Sequence, residues 1–74
     1  MPELPVVSGR QARRAFERLG WIFRRQTASH MILTREGSLV SLSIPDHREL
    51  APGTLRKLIR LSNVSVEEFR SALD

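Results

Sequence analysis

WIFRRQTASHMILTREGSLVSLSIP, residues 21–45, contains three short stretches rich in β-branched, aromatic and other apolar residues, with turn-forming residues between them. This pattern predicts three strands, over Trp21–Gln26, Ser29–Arg35 and Ser38–Ile44. Glu36-Gly37 lies between the second and third strands, and glycine adopts positive φ at little cost. A two-residue hairpin loop is therefore expected at this position.

Side chains alternate between the two faces of a strand, so the hairpin loop determines which residues share a face. It predicts four opposed pairs: Leu33 with Val40, Met31 with Leu42, Ile32 with Ser41, and His30 with Ser43. The expected core face consists of Met31, Leu33, Val40, Leu42 and Ile44. His30 lies on the other face, which short helices would leave open to solvent. The register of the first strand stays open, so Trp21 and Phe23 could point to either face, as could Arg24 and Arg25. Trp21 is expected in the core rather than as a platform for bases.

A helix is predicted before the strands, after an extended lead-in over Met1–Val7. Ser8 and Gln11 have the spacing of a capping box, in which each side chain accepts a hydrogen bond from the backbone amide of the other. Apolar residues follow with helical period, and Gly20 suits the position after the helix end. These signals predict the first helix over Gly9–Leu19.

Two further helices are predicted after the strands. The first is expected over Gly53–Ser62, with Asn63 in the left-handed conformation at its end. Ser65 and Glu68 form a second capping box, which predicts a short helix over Val66–Leu73. The whole chain, residues 1–74, is then a single α+β domain with the order α-β-β-β-α(-α). Layer rules place the helices on one face of a three-stranded antiparallel sheet.

The composition bounds the function. The chain has 74 residues, no cysteine and a formal charge of +4, and its cations are eleven arginines and Lys57. Arginine binds phosphate through two parallel hydrogen bonds, so the excess of positive charge favours a nucleic acid or an acidic protein as partner. The alternative is a basic surface that is merely solvated. Arg10, Arg14 and Arg18 stand four apart on the first helix and allow the same choice between a solvated face and a docking surface. No membrane-spanning stretch or apolar leader is found, so a cytoplasmic location is expected.

The candidates for chemistry are two histidines, His30 and His47. Neither is accompanied by clustered ligands, so no metal or other cofactor is expected. A single imidazole can still cleave RNA as a general base, because RNA carries its own nucleophile, the 2′-hydroxyl, and nearby guanidinium groups can stabilise the phosphate. The alternative is that a histidine exposed on a strand is inert.

Six motifs occur in a fixed order along the chain. They are Leu4-Pro5 with Ser8-Gly9, Leu19-Gly20-Trp21, Arg25-Gln26-Thr27-Ala28-Ser29-His30, Ile44-Pro45-Asp46-His47-Arg48-Glu49-Leu50, Gly53-Thr54-Leu55-Arg56, and Val64-Ser65-Val66-Glu67-Glu68-Phe69. The ordered set resembles that of the HicA toxins, the HicA/YcfA-like mRNA interferases of bacterial and archaeal toxin–antitoxin modules. The resemblance covers nearly the whole chain.

This resemblance implies a fold like that of the double-stranded-RNA-binding domain, in agreement with the predicted order of elements. It also implies a metal-independent endoribonuclease that cleaves mRNA and arrests translation. The implied catalytic residue is His30, the last residue of the family's Gly-Ser-His motif, in which Ala28 replaces the glycine. The implied partner is a HicB-like antitoxin that covers the site in a hetero-oligomer.

Other residues receive roles as expectations beside His30. Contacts to RNA are expected from Arg24, Arg25, Ser29, Arg35 and Lys57. His47 is expected either to fix the turn into the second helix or to act as a second acid or base. Two functions of other classes stay open: a non-catalytic RNA-binding module and a protein-interaction domain that uses the basic face of the first helix.

Overall fold

A computed structural model describes residues 3–74, which form one helix, a three-stranded antiparallel sheet and two further helices. The elements are α1 (Gly9–Arg18), β1 (Ile22–Thr27), β2 (His30–Thr34), β3 (Leu42–Pro45), α2 (Pro52–Ser62) and α3 (Val66–Ser71). The sheet order is β1-β2-β3, so the predicted α+β fold, like that of the double-stranded-RNA-binding domain, is confirmed. Met1 and Pro2, the start of the predicted lead-in, lie outside the described residues. No helix within residues 3–74 is long and apolar enough to cross a membrane.

The three helices pack on one face of the sheet and leave the other face uncovered. Buried side chains from α1, α2, α3 and the sheet form a single apolar cluster. Within it the rings of Phe16 and Phe69 are 5.0 Å apart and bring α1 against α3. Trp21 is buried in this cluster, as expected, and Phe23 packs against it from a position opposite Leu33.

The ends of the helices agree with their sequence signals. Both capping boxes are formed, so Ser8 begins α1 and Ser65 begins α3. Asn63 ends α2 with φ of 60°, the expected left-handed conformation. The third helix ends at Ser71, two residues earlier than predicted. These features involve residues at most four positions apart, which is why the sequence alone can predict them.

The predicted register between β2 and β3 is wrong by two residues. The observed pairs are His30–Pro45, Met31–Ile44, Ile32–Ser43 and Leu33–Leu42. A displacement by an even number of residues leaves each side chain on its predicted face, so the open face still carries His30. Four of the five predicted core-face residues are buried, and the exception is Val40, which is 40% exposed.

The cause is a longer connection between β2 and β3 than the predicted two-residue loop. The amide of Ser38 donates to the carbonyl of Arg35 at 3.0 Å, and the Ser38 hydroxyl bonds with the backbone of Val40. The bond from Ser38 to Arg35 is the one that a turn at Glu36-Gly37 would form, so the tight turn itself is present. The Ser38 hydroxyl, however, occupies the amide and carbonyl of Val40, which the predicted hairpin would have paired with Leu33. The third strand therefore begins at Leu42 instead of Ser38.

Candidate functional site

His30 is the first residue of β2 and lies on the uncovered face of the sheet. Its side chain is exposed, and its neighbour across the β2–β3 ladder is Pro45. A two-residue turn, Ala28-Ser29, leads into it from β1. Ala28 adopts φ of 50° there, so the alanine takes up the left-handed conformation that glycine prefers. The turn thus keeps a tight geometry and presents the imidazole to solvent.

An irregularity in β1 brings two arginines to the same face as His30. The ladder passes from Phe23 directly to Arg25, which lies opposite Ile32 and diagonally across from His30. Diagonal neighbours in a sheet are about 7–8 Å apart, within reach of an arginine side chain. Arg24 is the extra residue of this bulge, and its Nε donates to Thr34 Oγ1 at 2.8 Å on the open face. The bulge therefore concentrates positive charge that regular alternation would have divided between the two faces.

The open face carries no opposing charge of its own. β1, β2 and β3 contain neither aspartate nor glutamate, whereas they contain His30 and both bulge arginines. The cations are exposed and lie side by side, which favours an anionic partner.

A groove of about 430 Å³ adjoins His30, where α2 meets the open face. Its floor comes from β2 and β3, and its wall comes from one stripe of α2. The lining residues are His30, Ser41, Ser43, Pro45, Thr54, Lys57, Leu58 and Leu61. Of the RNA contacts expected from the sequence, Lys57 is the one that shares this groove with the histidine. We call this depression the α2 groove.

Asp46 ties down the turn that carries His30. Its amide donates to the carbonyl of Ser29 at 2.7 Å. Its carboxylate accepts hydrogen bonds from Arg10, at 3.2 Å, and from Gln26, at 3.4 Å. The hydrogen bond from the Arg10 guanidinium lowers the pKa of Asp46 below its usual value. The side chain thereby joins α1 and β1 to the loop after β3.

Gly9 supplies a second anchor for that loop. Its amide donates to the carbonyl of His47 at 2.8 Å. A Cβ at this position would lie 1.9 Å from the carbonyl oxygen of Pro45, so only glycine allows the backbones to approach this closely. The start of α1 and the end of β3 are thus held together directly beside the histidine turn.

The remaining candidate residues lie apart from the groove. Arg35 packs on the side of the sheet that the helices cover, where its guanidinium stacks 4.7 Å from the centre of the Trp21 ring and donates to the carbonyl of Ser62 at 3.2 Å. This contact satisfies a carbonyl at the end of α2. Ser29 is exposed in the turn before His30, and its carbonyl is the acceptor for Asp46.

His47 is exposed in the loop after β3. Its backbone carbonyl accepts the hydrogen bond from Gly9 that fixes this loop. Within residues 3–74 its side chain forms no hydrogen bond of its own. The contribution of His47 to the turn is therefore made by its main chain.

The basic stripe of α1 is largely paired with acidic side chains. Arg10 binds Asp46, while Arg14 and Arg18 both bind Asp74. The three side chains are exposed, so they form a solvated face, and each guanidinium in it is paired with a carboxylate. The acids come from positions 36 to 60 residues away, so no local sequence signal could predict the pairs.

Sequence reasoning did not predict the hydroxyl and apolar lining of the α2 groove. Thr54, Lys57, Leu58 and Leu61 have the spacing i, i+3, i+4, i+7, which is one stripe of a helix. This stripe adjoins the core stripe, and Leu61 in it is the signal that could have indicated a second apolar surface. Within the described part of the chain, no three His, Asp or Glu side chains are grouped so that they could hold a metal ion.

Comparison with known proteins identifies the family. No curated protein matches the chain. The family model described as the HicA toxin of bacterial toxin–antitoxin systems matches residues 9–64, which contain β1 to β3, α1, α2 and the whole α2 groove. The match covers well over half of the 74 residues. The chain therefore belongs to the HicA family of toxins.

Proposed function

We propose that this toxin is an endoribonuclease that cleaves mRNA with His30 as its general base and without a metal ion. The observation that carries the proposal is the exposed imidazole of His30 on a face with no acidic residue in its strands, beside the α2 groove and Lys57. RNA is a chemically suitable substrate because the attacking group and the phosphate are both supplied by the same nucleotide.

In the proposed reaction the neutral imidazole of His30 removes the proton of a ribose 2′-hydroxyl. The 2′-oxygen forms a bond to the adjacent phosphorus, and the bond from phosphorus to the 5′-oxygen of the next nucleotide breaks. The 5′-oxygen gains a proton, supplied either by the imidazolium of His30 or by water. The products are a 2′,3′-cyclic phosphate and a free 5′-hydroxyl, and DNA is resistant because it has no 2′-hydroxyl.

Negative charge accumulates on the phosphate oxygens as the 2′-oxygen attacks. Lys57 shares the groove with His30, and Arg25 lies on a diagonal from it, so both could contact the phosphate. Fixed cations at such a position stabilise the transition state more than the ground state. Arg24 lies farther along the open face and could bind a neighbouring phosphate, which would position the strand.

The toxin role of the family implies an antitoxin. We propose a HicB-like protein as this partner, bound over the open face in a hetero-oligomer. An antitoxin that presents acidic side chains to Arg24, Arg25 and Lys57 would compete with RNA phosphates for the same cations. Coverage of His30 would then account for inhibition.

The test compares two histidine variants in cleavage of labelled RNA. We expect His30→Ala to lower the cleavage rate by about 10²–10⁴-fold, the usual contribution of a general base. His47→Ala is the matched control, because this second exposed histidine makes no side-chain hydrogen bond within residues 3–74, and its cleavage should equal that of the wild type. Circular dichroism should show both variants folded, and EDTA should leave wild-type cleavage unchanged.

Two results would contradict the proposal. One is retained cleavage by folded His30→Ala protein, and the other is loss of wild-type activity on chelation. Binding of RNA that weakens with salt, without any strand scission by the wild type, would indicate the non-catalytic RNA-binding module instead.

A further inference from the structure

The α2 groove has a composition that phosphate binding alone does not require. Its lining combines three apolar residues, Pro45, Leu58 and Leu61, with residues that carry hydroxyls. A site that bound only phosphate would be lined by cations and amides, and Lys57 is the one cation in this lining. An apolar wall beside a cation suits a ligand that has both a flat apolar body and a negative charge.

The hydroxyls of the lining belong to Ser41 and Ser43 on the floor and to Thr54 on the wall. Ser43 lies in β3 and Ser41 directly precedes this strand, and both line the groove. Each hydroxyl can donate and accept a hydrogen bond and rotates to suit its partner. These groups could satisfy the polar edge of a nucleobase whatever its pattern of donors and acceptors.

The size of the groove also fits one nucleotide. Its volume of about 430 Å³ lies within the range of about 300–1,000 Å³ that small-molecule sites occupy. His30 lies in the same groove, so a base bound there belongs to a nucleotide directly beside the reacting phosphate. A base paired in a duplex could not enter, because its edge would be turned toward its partner strand.

We infer that the α2 groove binds the unpaired base of one nucleotide flanking the scissile phosphate, with Lys57 on the phosphate of that nucleotide. This inference rests on the proposed RNA cleavage and extends it to the form of the substrate, which is single-stranded RNA. The lining contains no arginine, asparagine or glutamine that could form a bidentate contact to a base edge. The groove therefore requires a base but discriminates weakly among the four.

The experiment removes the base and fills the groove in separate steps. The substrates are single-stranded RNA oligonucleotides with a mapped cleavage position, in which one flanking nucleotide retains its ribose and phosphate but lacks its base. For the wild type we expect base removal at one of the two flanking positions to lower kcat/KM by about tenfold, because the base loses its apolar contacts with the groove wall. Exchange of that base for another should change kcat/KM by less than removal does.

The variant Ser43→Phe fills the groove from an exposed strand position without altering His30. It should cleave intact RNA about tenfold more slowly, and base removal should then cause little further loss, because both changes remove the same contact. Ser71→Phe, at an exposed position of α3, makes the same substitution away from the groove and should cleave like the wild type. Circular dichroism checks the fold of both variants.

The outcomes separate this inference from the proposed function. The groove inference is wrong and the proposed cleavage stands if the wild type cleaves RNA but tolerates base removal at both flanking positions. The same holds if the loss of kcat/KM from base removal and the loss from Ser43→Phe multiply. If the wild type cleaves no RNA, the proposed function is wrong, and binding of the same oligonucleotides decides about the groove. The groove inference is supported if the wild type binds the oligonucleotide without the base more weakly than the intact one and Ser43→Phe binds both equally. It is overturned if the wild type binds both oligonucleotides equally.

Discussion

Gly9→Ala should destabilise the protein because it forces apart two backbones. The added Cβ would lie 1.9 Å from the Pro45 carbonyl oxygen, and the displaced helix start would lengthen the 2.8 Å hydrogen bond from the Gly9 amide to His47. Overpacking costs about 1–3 kcal/mol and the lost hydrogen bond about 1 kcal/mol. The higher helix propensity of alanine offsets up to about 1 kcal/mol. With this offset in full, the net loss is about 1–3 kcal/mol, or a decrease in Tm of roughly 4–24 °C for a domain of this size.

Gly53→Ala is the matched control, since it makes the same substitution in the first turn of α2. A Cβ there meets no atom within 4 Å, so only the helix propensity changes and Tm should rise slightly. Both variants and the wild type are compared by thermal and urea unfolding, followed by circular dichroism. Equal stabilities of the two variants would refute the reasoning, because they would show that the contact between Gly9 and Pro45 imposes no constraint.

Three further changes give expected outcomes of different sign. Ala28→Gly should raise the free energy of unfolding by about 0.5–1 kcal/mol in urea titrations, because it relieves the left-handed conformation, and a decrease would contradict that explanation. Arg35→Ala should lower the stability by about 1–2 kcal/mol through the lost contacts to Trp21 and Ser62, and leave the RNA affinity in a filter-binding assay unchanged. Hydrogen bonding to arginine lowers the pKa of Asp74, so its stabilising effect is present above the ordinary value of 3.8 and is lost as the pH falls below it. The Tm of Asp74→Asn should therefore fall less steeply below about pH 4 than that of the wild type, and parallel curves would exclude a contribution from Asp74.

The parts of the fold that local chemistry determines could be predicted from the sequence. The capping boxes at Ser8 and Ser65 and the left-handed Asn63 depend on neighbours in the chain, and all three are observed. The placement of His30 on the open face could also be predicted, because alternation along a strand survives an even shift in register. The location of β3 could not, because Ser38 forms local hydrogen bonds that compete with the expected hairpin.

The surroundings of His30 depend on contacts that are distant in sequence. Lys57 reaches the same groove only because α2 packs beside β3, and the pairing of Asp46 with Arg10 spans 36 residues. A bulge in β1 interrupts the alternation of side chains and brings Arg24 and Arg25 to one face. No residue type in β1 predicts this bulge. The composition alone indicates a basic protein, but which surfaces carry the positive charge can be known only from the fold.

The α2 groove is assembled from two parts of the chain that the ribosome makes at different times. The floor from His30 to Pro45 emerges first, and the wall from Thr54 to Leu61 emerges after it. A nascent chain that stops before residue 61 lacks part of the wall, so the groove exists only after both segments have been made. The order of the elements along the chain thus determines when the α2 groove can form. A product truncated before the wall carries the histidine without its cleft.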